Sequence, residues 1–314
     1  MWYELSGEFV STVLGVDGRL ADALHFFIYD TIKIWFLLIA IIFAVSLLRT
    51  WFSTEYVRAH LQGKSAIYGY VVAALFGIIT PFCSCSAIPL FLGFLQARIP
   101  LGVTFSYLIS APMNNEIAIA MLFGLFGWEI TAIYISFGLL VAIVGGWLID
   151  RLHLENEVLL EVKPVDIKLH ADIIKIRFSE RISEAWDYTY DIFKKIYLYV
   201  LLGVAVGAWI HGYIPTDFIA KYTGEGNPFA VIIAVLMGIP MYSNAAGVMP
   251  LVEVLTNKGM LLGTALSFMM AVTALSLPEA LILKKILSLK LISIFFTIVG
   301  SGIIVIGYMF NFIL

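Results

Sequence analysis

Three stretches of the chain, 25–48, 128–149 and 291–311, are long and predominantly apolar. Each offers about the 20 residues that a helix needs to cross a bilayer. Such runs leave few conformational choices. In lipid every backbone N–H and C=O must find its partner inside the protein, which helices do within a single segment. The stretches 101–124, 192–210 and 261–283 carry the same signal with some polar content. Composition agrees: 61% of the residues are hydrophobic and 13% are charged, against roughly 25% charged in soluble domains. Mean hydropathy is +0.97. The expected fold class is therefore an all-α polytopic membrane protein whose first partner is the lipid bilayer. Residues 1–24 carry Glu4, Glu8, Asp17 and Asp22 and do not read as a cleavable signal. A net charge of −3 gives no basic surface for nucleic acid, and two cysteines exclude a disulfide framework.

One apolar run is interrupted where greasiness alone would not interrupt it. Residues 80–90 read Thr-Pro-Phe-Cys-Ser-Cys-Ser-Ala-Ile-Pro-Leu and hold both cysteines, Cys83 and Cys85. Pro81 and Pro89 each remove a backbone donor. Broken backbone at membrane depth persists only where protein buries it or a cavity adjoins it, so a solute is expected here. On a regular helix the two cysteines point about 200° apart. In an extended or turned segment both sulfurs face one way and could reach one soft centre such as copper(I), zinc or a thiophilic metalloid. The bland alternative is a pair of small buried cysteines packed as modest hydrophobes.

An internal repeat of 161 residues accompanies this signal. Tyr29-Asp30 recurs as Tyr190-Asp191, Gly77-Ile78 as Gly238-Ile239, Pro89-Leu90 as Pro250-Leu251, Leu101-Gly102 as Leu262-Gly263, and Ser106 as Ser267. Duplicated halves are a common build of secondary transporters. The arms 66–80 and 86–96 are each too short to span, so 66–96 reads as a broken re-entrant helical hairpin, and 228–256 likewise. Each half then has about three spanning helices plus its hairpin, 8–10 membrane segments in all, and the halves are inverted. That arrangement puts Arg49, Arg58, Lys64, Arg98, eight basic residues from Arg151 to Lys195, Lys284, Lys285 and Lys290 on one side, 15 of the 19 Lys and Arg. Arg19, Lys221 and Lys258 fall on the other, with Lys33 in the first helix. Positive loops are cytoplasmic, so 150–190 is expected there. The organisation read from the chain is an N-terminal segment 1–24, a first membrane repeat 25–149, a cytoplasmic linker 150–190 and a second membrane repeat 191–314.

Three constellations carry the candidate chemistry. The first is the hairpin tip Cys83-Ser84-Cys85-Ser86. The second is its repeat mate, where Pro240 and Pro250 flank Tyr242, Ser243 and Asn244 and offer phenol, hydroxyl and amide instead of sulfur. The third is Ser110-Ala-Pro112-Met-Asn114-Asn115-Glu116, with Ser276-Leu-Pro278-Glu279 as counterpart at a spacing about two residues different. Intramembrane carboxyls usually face a bundle interior and mark ion or proton paths. Glu116 and Glu279 are therefore proton-coupling candidates, and Glu253 on the second hairpin joins them. Pro81, Pro89, Pro112, Pro240 and Pro250 are the helix breakers.

These segments together resemble the bacterial ArsP and YraQ-type permease family over roughly residues 25–312. ArsP-type members export trivalent organoarsenicals, chiefly methylarsenite. What the resemblance implies is export of small solutes, with methylarsenite and aromatic trivalent arsenicals first among them; a non-enzymatic inner-membrane permease working by proton-coupled alternating access, with no cofactor, is the mechanism expected from the residues. Cys83, Ser84, Cys85, Ser86, Asn114, Asn115, Glu116, Tyr242, Ser243 and Asn244 occupy the family's signature segments. Homo-oligomerisation is compatible with it. No Gly-rich Lys-Ser/Thr nucleotide loop occurs. The alternatives are a permease for a sulfur oxyanion or metal ion, which the absence of Lys and Arg at the tips disfavours for an anion, and a membrane thiol-disulfide oxidoreductase, which lacks a second cysteine pair.

Overall fold

The computed structural model describes residues 19–49, 66–80, 84–159, scattered helical positions between 182 and 205, then 222–224, 226–241 and 245–313. The named elements in that set are helices: α1 Arg19–Arg49, α2 Ala66–Ile79, α3 Ser84–Gln96, α4 Leu101–Met113, α5 Glu116–Arg151, α6 Ala230–Gly238, α7 Ala245–Asn257, α8 Leu262–Ala274, α9 Leu277–Leu283 and α10 Leu289–Ile313, plus a 3-10 turn at Glu155–Glu157. Among the described residues, two isolated antiparallel bridges are the only extended pairing. The chain is all-α and membrane-spanning, with Glu116–Arg151, Leu262–Leu283 and Leu289–Ile313 long and apolar enough to cross. Phe312, Phe36 and Trp128 are 92%, 73% and 67% exposed, a surface suited to lipid rather than water.

Both ends of α3 and of α4 lie 161 positions before the ends of α7 and α8. Glu116, the first residue of α5, stands the same distance before Leu277, the first of α9. The later part of α5 answers to α10. Between α9 and α10 the helix is broken at 284–288, and 161 positions before Ser288 stands Gly127, the one residue inside α5 with non-helical backbone (φ 83°, ψ 179°).

The apolar run 101–124, expected as one segment, is in fact divided. α4 ends at Met113, Asn114 leaves helical geometry (φ −107°, ψ 41°), and the extended Asn115 caps α5 by accepting the Ile117 N–H at 2.9 Å. The cause is local. Pro112 removes a donor near the end of α4, and Asn is among the best N-cap residues. The expected span 128–149 is accordingly the latter part of a 36-residue helix.

Every residue of α4 is buried, as is nearly all of α8. Helices apolar all round belong at the centre of a membrane bundle. α4 touches α2, α3, α5 and α8, while α8 touches α6, α7 and α10. Small residues set the spacing, as is usual between membrane helices. A Cβ on Gly146 would overlap the Ser106 hydroxyl and the Gly102 carbonyl, and one on Gly307 would overlap Ser267 in the same way. Polar clamps close each contact. Asp150 accepts from the Tyr70 hydroxyl at 2.7 Å and the Gly102 N–H at 3.3 Å, and Asn311 accepts from the Thr264 N–H at 3.2 Å.

α5 and α10 pack antiparallel. Gly145 lies against Ile298, Val141 against Gly302, and the Phe137 and Phe310 rings are 5.7 Å apart. Beyond α5 the start of the 150–190 linker is held down. Val158 bridges Leu287, the Leu159 N–H donates to Ile286 O at 2.8 Å, and Lys290 pairs with Glu157 at 2.9 Å. Hydrogen bonds from Ser288 and Lys290 keep the Glu157 carboxyl below the ordinary carboxylate range.

Gly146→Leu is expected to destabilise by about 1–3 kcal/mol through overpacking. Gly93→Ala, where a Cβ meets nothing within 4 Å, should be neutral or stabilising; thermal unfolding in detergent distinguishes the two. The Glu157 contact carries a pH signature. A group with a lowered folded pKa adds stability above its unfolded value of 4.5, and loses it as pH falls through the folded value. Wild type should therefore exceed Glu157→Gln in unfolding temperature at pH 7, and the gap should close as the pH is lowered through the folded carboxyl's titration.

Candidate functional site

Helix α3 is where the sequence signals converge. Its first residues are Ser84, Cys85 and Ser86, whose backbone is helical and whose side chains lie outside the described residues, as do Pro81, Cys83, Tyr242, Ser243 and Asn244 entirely. Pro89 sits buried inside α3. Having no N–H, it cannot bond the carbonyl four residues earlier, which is that of Cys85. The first turn of α3 thus carries a thiol residue whose carbonyl lacks its helical donor. Pro250 occupies the same place inside α7, opposite the carbonyl of Ala246. Pro112 lies buried within α4, and Pro240 is exposed at the bend after α6.

Three elements that touch α3 carry buried polar atoms without a hydrogen-bond partner. α9 presents both carboxylate oxygens of Glu279 and the Ser276 hydroxyl just before it. At the end of α4 stands the Asn114 Oδ1. α1 brings Thr31 Oγ1 and the Trp35 Nε1–H. Buried polar groups are satisfied in the great majority of cases, so each exception needs a reason. Among the described residues these atoms have no partner, and the elements that carry them all touch α3.

Asn114 is held in position while its acceptor stays open. Its Nδ2 donates to Ser110 Oγ at 3.3 Å, Ser110 donates to Ala74 O at 2.7 Å, and its side chain fills the space left by Gly138. The carbonyl of Met113, at the break after α4, is taken by the Tyr134 hydroxyl at 2.6 Å. Break and side chain are therefore fixed separately, and the free Oδ1 is not a by-product of the kink.

The two carboxyl candidates differ in placement. Glu279 is fully buried, whereas Glu116 is exposed at the start of α5. The two-residue difference in spacing explains it. At the 161-residue interval Glu116 answers to Leu277 and Glu279 to the buried Ala118, and two helical residues are about 200° of rotation. Asn115, the α5 cap, is partly buried, and Glu253 is exposed on α7. Thr31 and Trp35 were not foreseen from sequence, and Ser276 was named there only as part of the Glu279 motif. Ser276-Leu-Pro-Glu279 does have the Ser-x-x-Glu form of a helix-capping pair, but neither side chain makes the capping bond. The backbone instead anchors α9, with the Leu277 N–H donating to Ile239 O at 3.1 Å.

Residues 19–312 match the family model ArsP_1, described as predicted permease. The chain belongs to the ArsP_1 permease family. Its relatives include the UPF0718 protein MJ0584 of Methanocaldococcus jannaschii, 25% identical over 299 residues with 75% of this chain and 82% of that protein covered. The UPF0718 protein YraQ of Escherichia coli is 23% identical over 249 residues, with 78% and 68% covered. A putative two-component membrane permease complex subunit of Streptococcus mutans is 24% identical over 176 residues, with 55% and 57% covered. No solved structure matches the chain. In this ArsP_1 permease the buried Glu279 is a stability cost that a purely structural carboxyl would not carry. Glu279→Leu is expected to stabilise the fold by about 1–3 kcal/mol, the desolvation cost of an unsatisfied buried group. An unchanged or lowered unfolding temperature in detergent would show that Glu279 is satisfied.

Proposed function

We propose that this ArsP_1 permease exports small thiophilic solutes, trivalent organoarsenicals such as methylarsenite first among them, across a bacterial inner membrane. The observation that carries this reading is the first turn of α3. It has Cys85 at a carbonyl deprived of its helical donor by Pro89, on a helix surrounded by elements with unpartnered buried polar atoms. Soft sulfur ligands select soft centres. Trivalent arsenic with one carbon substituent has two exchangeable oxygens, which matches a site with two cysteines, Cys83 and Cys85. The hydroxyls and amides of Ser84, Ser86, Asn114, Asn115, Tyr242, Ser243 and Asn244 complete the solute site.

Transport proceeds by alternating access between inverted halves, each with its re-entrant hairpin. Supporting this are the 161-residue interval between element bounds, hairpin arms of 14 and 13 residues in the first half and 9 and 13 in the second, and the antiparallel contact of α5 with α10. Val141 and Gly302 meet in that contact and are themselves 161 positions apart, as expected where a pseudo-twofold axis passes. α3 touches α9 and α7 touches α5, the pair of contacts such an axis would generate. Proton uptake at Glu279 drives the outward cycle, and the exposed Glu116 and Glu253 contribute less.

The test is methylarsenite accumulation in everted vesicles. Replacing Cys83 and Cys85 together with serine is expected to reduce it at least about ten-fold, a loss of roughly 1.4 kcal/mol or more. Unchanged transport would retire the thiol role. Glu279→Gln should abolish the response to an imposed proton gradient while Glu116→Gln preserves it.

A further inference from the structure

At one end of the α5–α10 contact the two helices separate into a groove of about 380 Å³. Leu148, Leu152, Ile294 and Ile298 line it, and Arg151 stands at its edge. Ser293 and Thr297 also reach the wall. Their hydroxyls donate back to Leu289 O and Ser293 O, each at 2.8 Å. The wall is thus effectively apolar, with one cation at its rim.

Among the described residues that cation has no ion-pair partner. Its neighbour Asp150 is turned inward onto Tyr70 and Gly102, and Glu157 is occupied by Lys290. Arg151 is exposed and makes no ion pair among the described residues, and its guanidinium carbon stands 5.2 Å from the Trp147 ring centroid. Trp belongs at the membrane–water boundary, which places Arg151 at headgroup depth. α10 begins at this same end, just after Lys284 and Lys285.

The opposite end of the contact provides an internal comparison. The positions 161 residues after Trp147 and Arg151 are Tyr308 and Phe312. The aromatic is retained there, with the Tyr308 hydroxyl donating to Pro228 O at 2.6 Å, but the cation is replaced by a phenylalanine 92% exposed. A lipid chain would suit either end; a negative headgroup suits only one.

The geometry points to a bound anionic phospholipid from the surrounding leaflet, one acyl chain in the α5–α10 groove and its phosphate on Arg151. Basic sites between membrane helices are a recurrent means of holding acidic headgroups. Because α5 and α10 come from different halves of the chain, a lipid seated here bridges them at their crossing.

The experiment is native mass spectrometry of the full chain released from nanodiscs containing phosphatidylethanolamine and phosphatidylglycerol in equal amounts. One phosphatidylglycerol is expected to remain bound in preference to phosphatidylethanolamine. Arg151→Gln is expected to lower that retention about five-fold, the worth of one basic residue near an anionic lipid surface. Arg151→Lys should retain most of it. Phe312→Arg should create a second retained phosphatidylglycerol, which keeps the test informative if Arg151→Gln expresses poorly. Equal retention of the two lipids by wild type, or undiminished phosphatidylglycerol in Arg151→Gln, would overturn the assignment. So would a Phe312→Arg variant that gains nothing.

Discussion

Backbone groups inside a bilayer have no water to turn to, and the departures of this chain from regular helix are organised by that shortage. Where α4 gives way to α5, Asn115 takes the Ile117 N–H and Tyr134 takes the Met113 carbonyl. Where α8 gives way to α9, Leu277 donates to the carbonyl at the bend after α6. The first break is answered by its own cap and by a residue further along α5, and the second by a group from another segment, which ties the two segments together. Helix interruption and tertiary structure are the same event here. The close Gly–Ser contacts serve that end, since Ser106 and Ser267 can return their hydroxyls to Gly102 and Gly263 only because no side chain intervenes at Gly146 and Gly307.

Against that background the orphaned atoms stand out. A protein that supplies a donor for Met113 O at 2.6 Å leaves two carboxylate oxygens, a serine hydroxyl and an asparagine carbonyl open within its core. Replacing a buried, unsatisfied polar group with an apolar one of similar shape is often stabilising. Retaining four such atoms, at the end of α4 and at the start of α9, costs stability. We take the return to be ligand contact, with the solute or proton acting as the missing partner.

Much of this was legible in the chain. The apolar runs announce the membrane, and the short arms on either side of Pro81 and Pro240 announce broken elements. The repeated identities lie at the interval that separates the bounds of α3 from α7 and α4 from α8. Orientation was less legible. Glu116 and Glu279 looked equivalent because each follows a proline in a greasy run, yet a shift of two residues turns one outward and the other inward. The division of 101–124 at Asn114 was also hidden. Hydropathy does not register a cap, and Asn-Asn in an apolar run reads as polar content rather than as a stop. Thr31 and Trp35 gave no signal because their significance lies in what fails to face them. A missing partner is a property of three dimensions.

Positions 161 apart that share a structural task have kept their residues or near equivalents: Gly77 and Gly238, Gly102 and Gly263, Ser106 and Ser267, Gly146 and Gly307. Asp150 and Asn311 both fasten the start of the neighbouring inner helix, Asp150 through Gly102 and Tyr70 and Asn311 through Thr264. Among the positions that differ outright are Cys85 against Ala246, Asn114 against Leu275, Ala118 against Glu279, and Arg151 against Phe312. A pseudo-twofold scaffold would place each pair in comparable surroundings, so packing alone gives no reason for one member to be polar and the other apolar. A ligand bound on one side of such an axis would break that equivalence. The first three pairs belong to elements that meet around α3 and α9 or answer to them. The fourth lies apart, at the rim of the α5–α10 groove, where the lipid inferred above would bind.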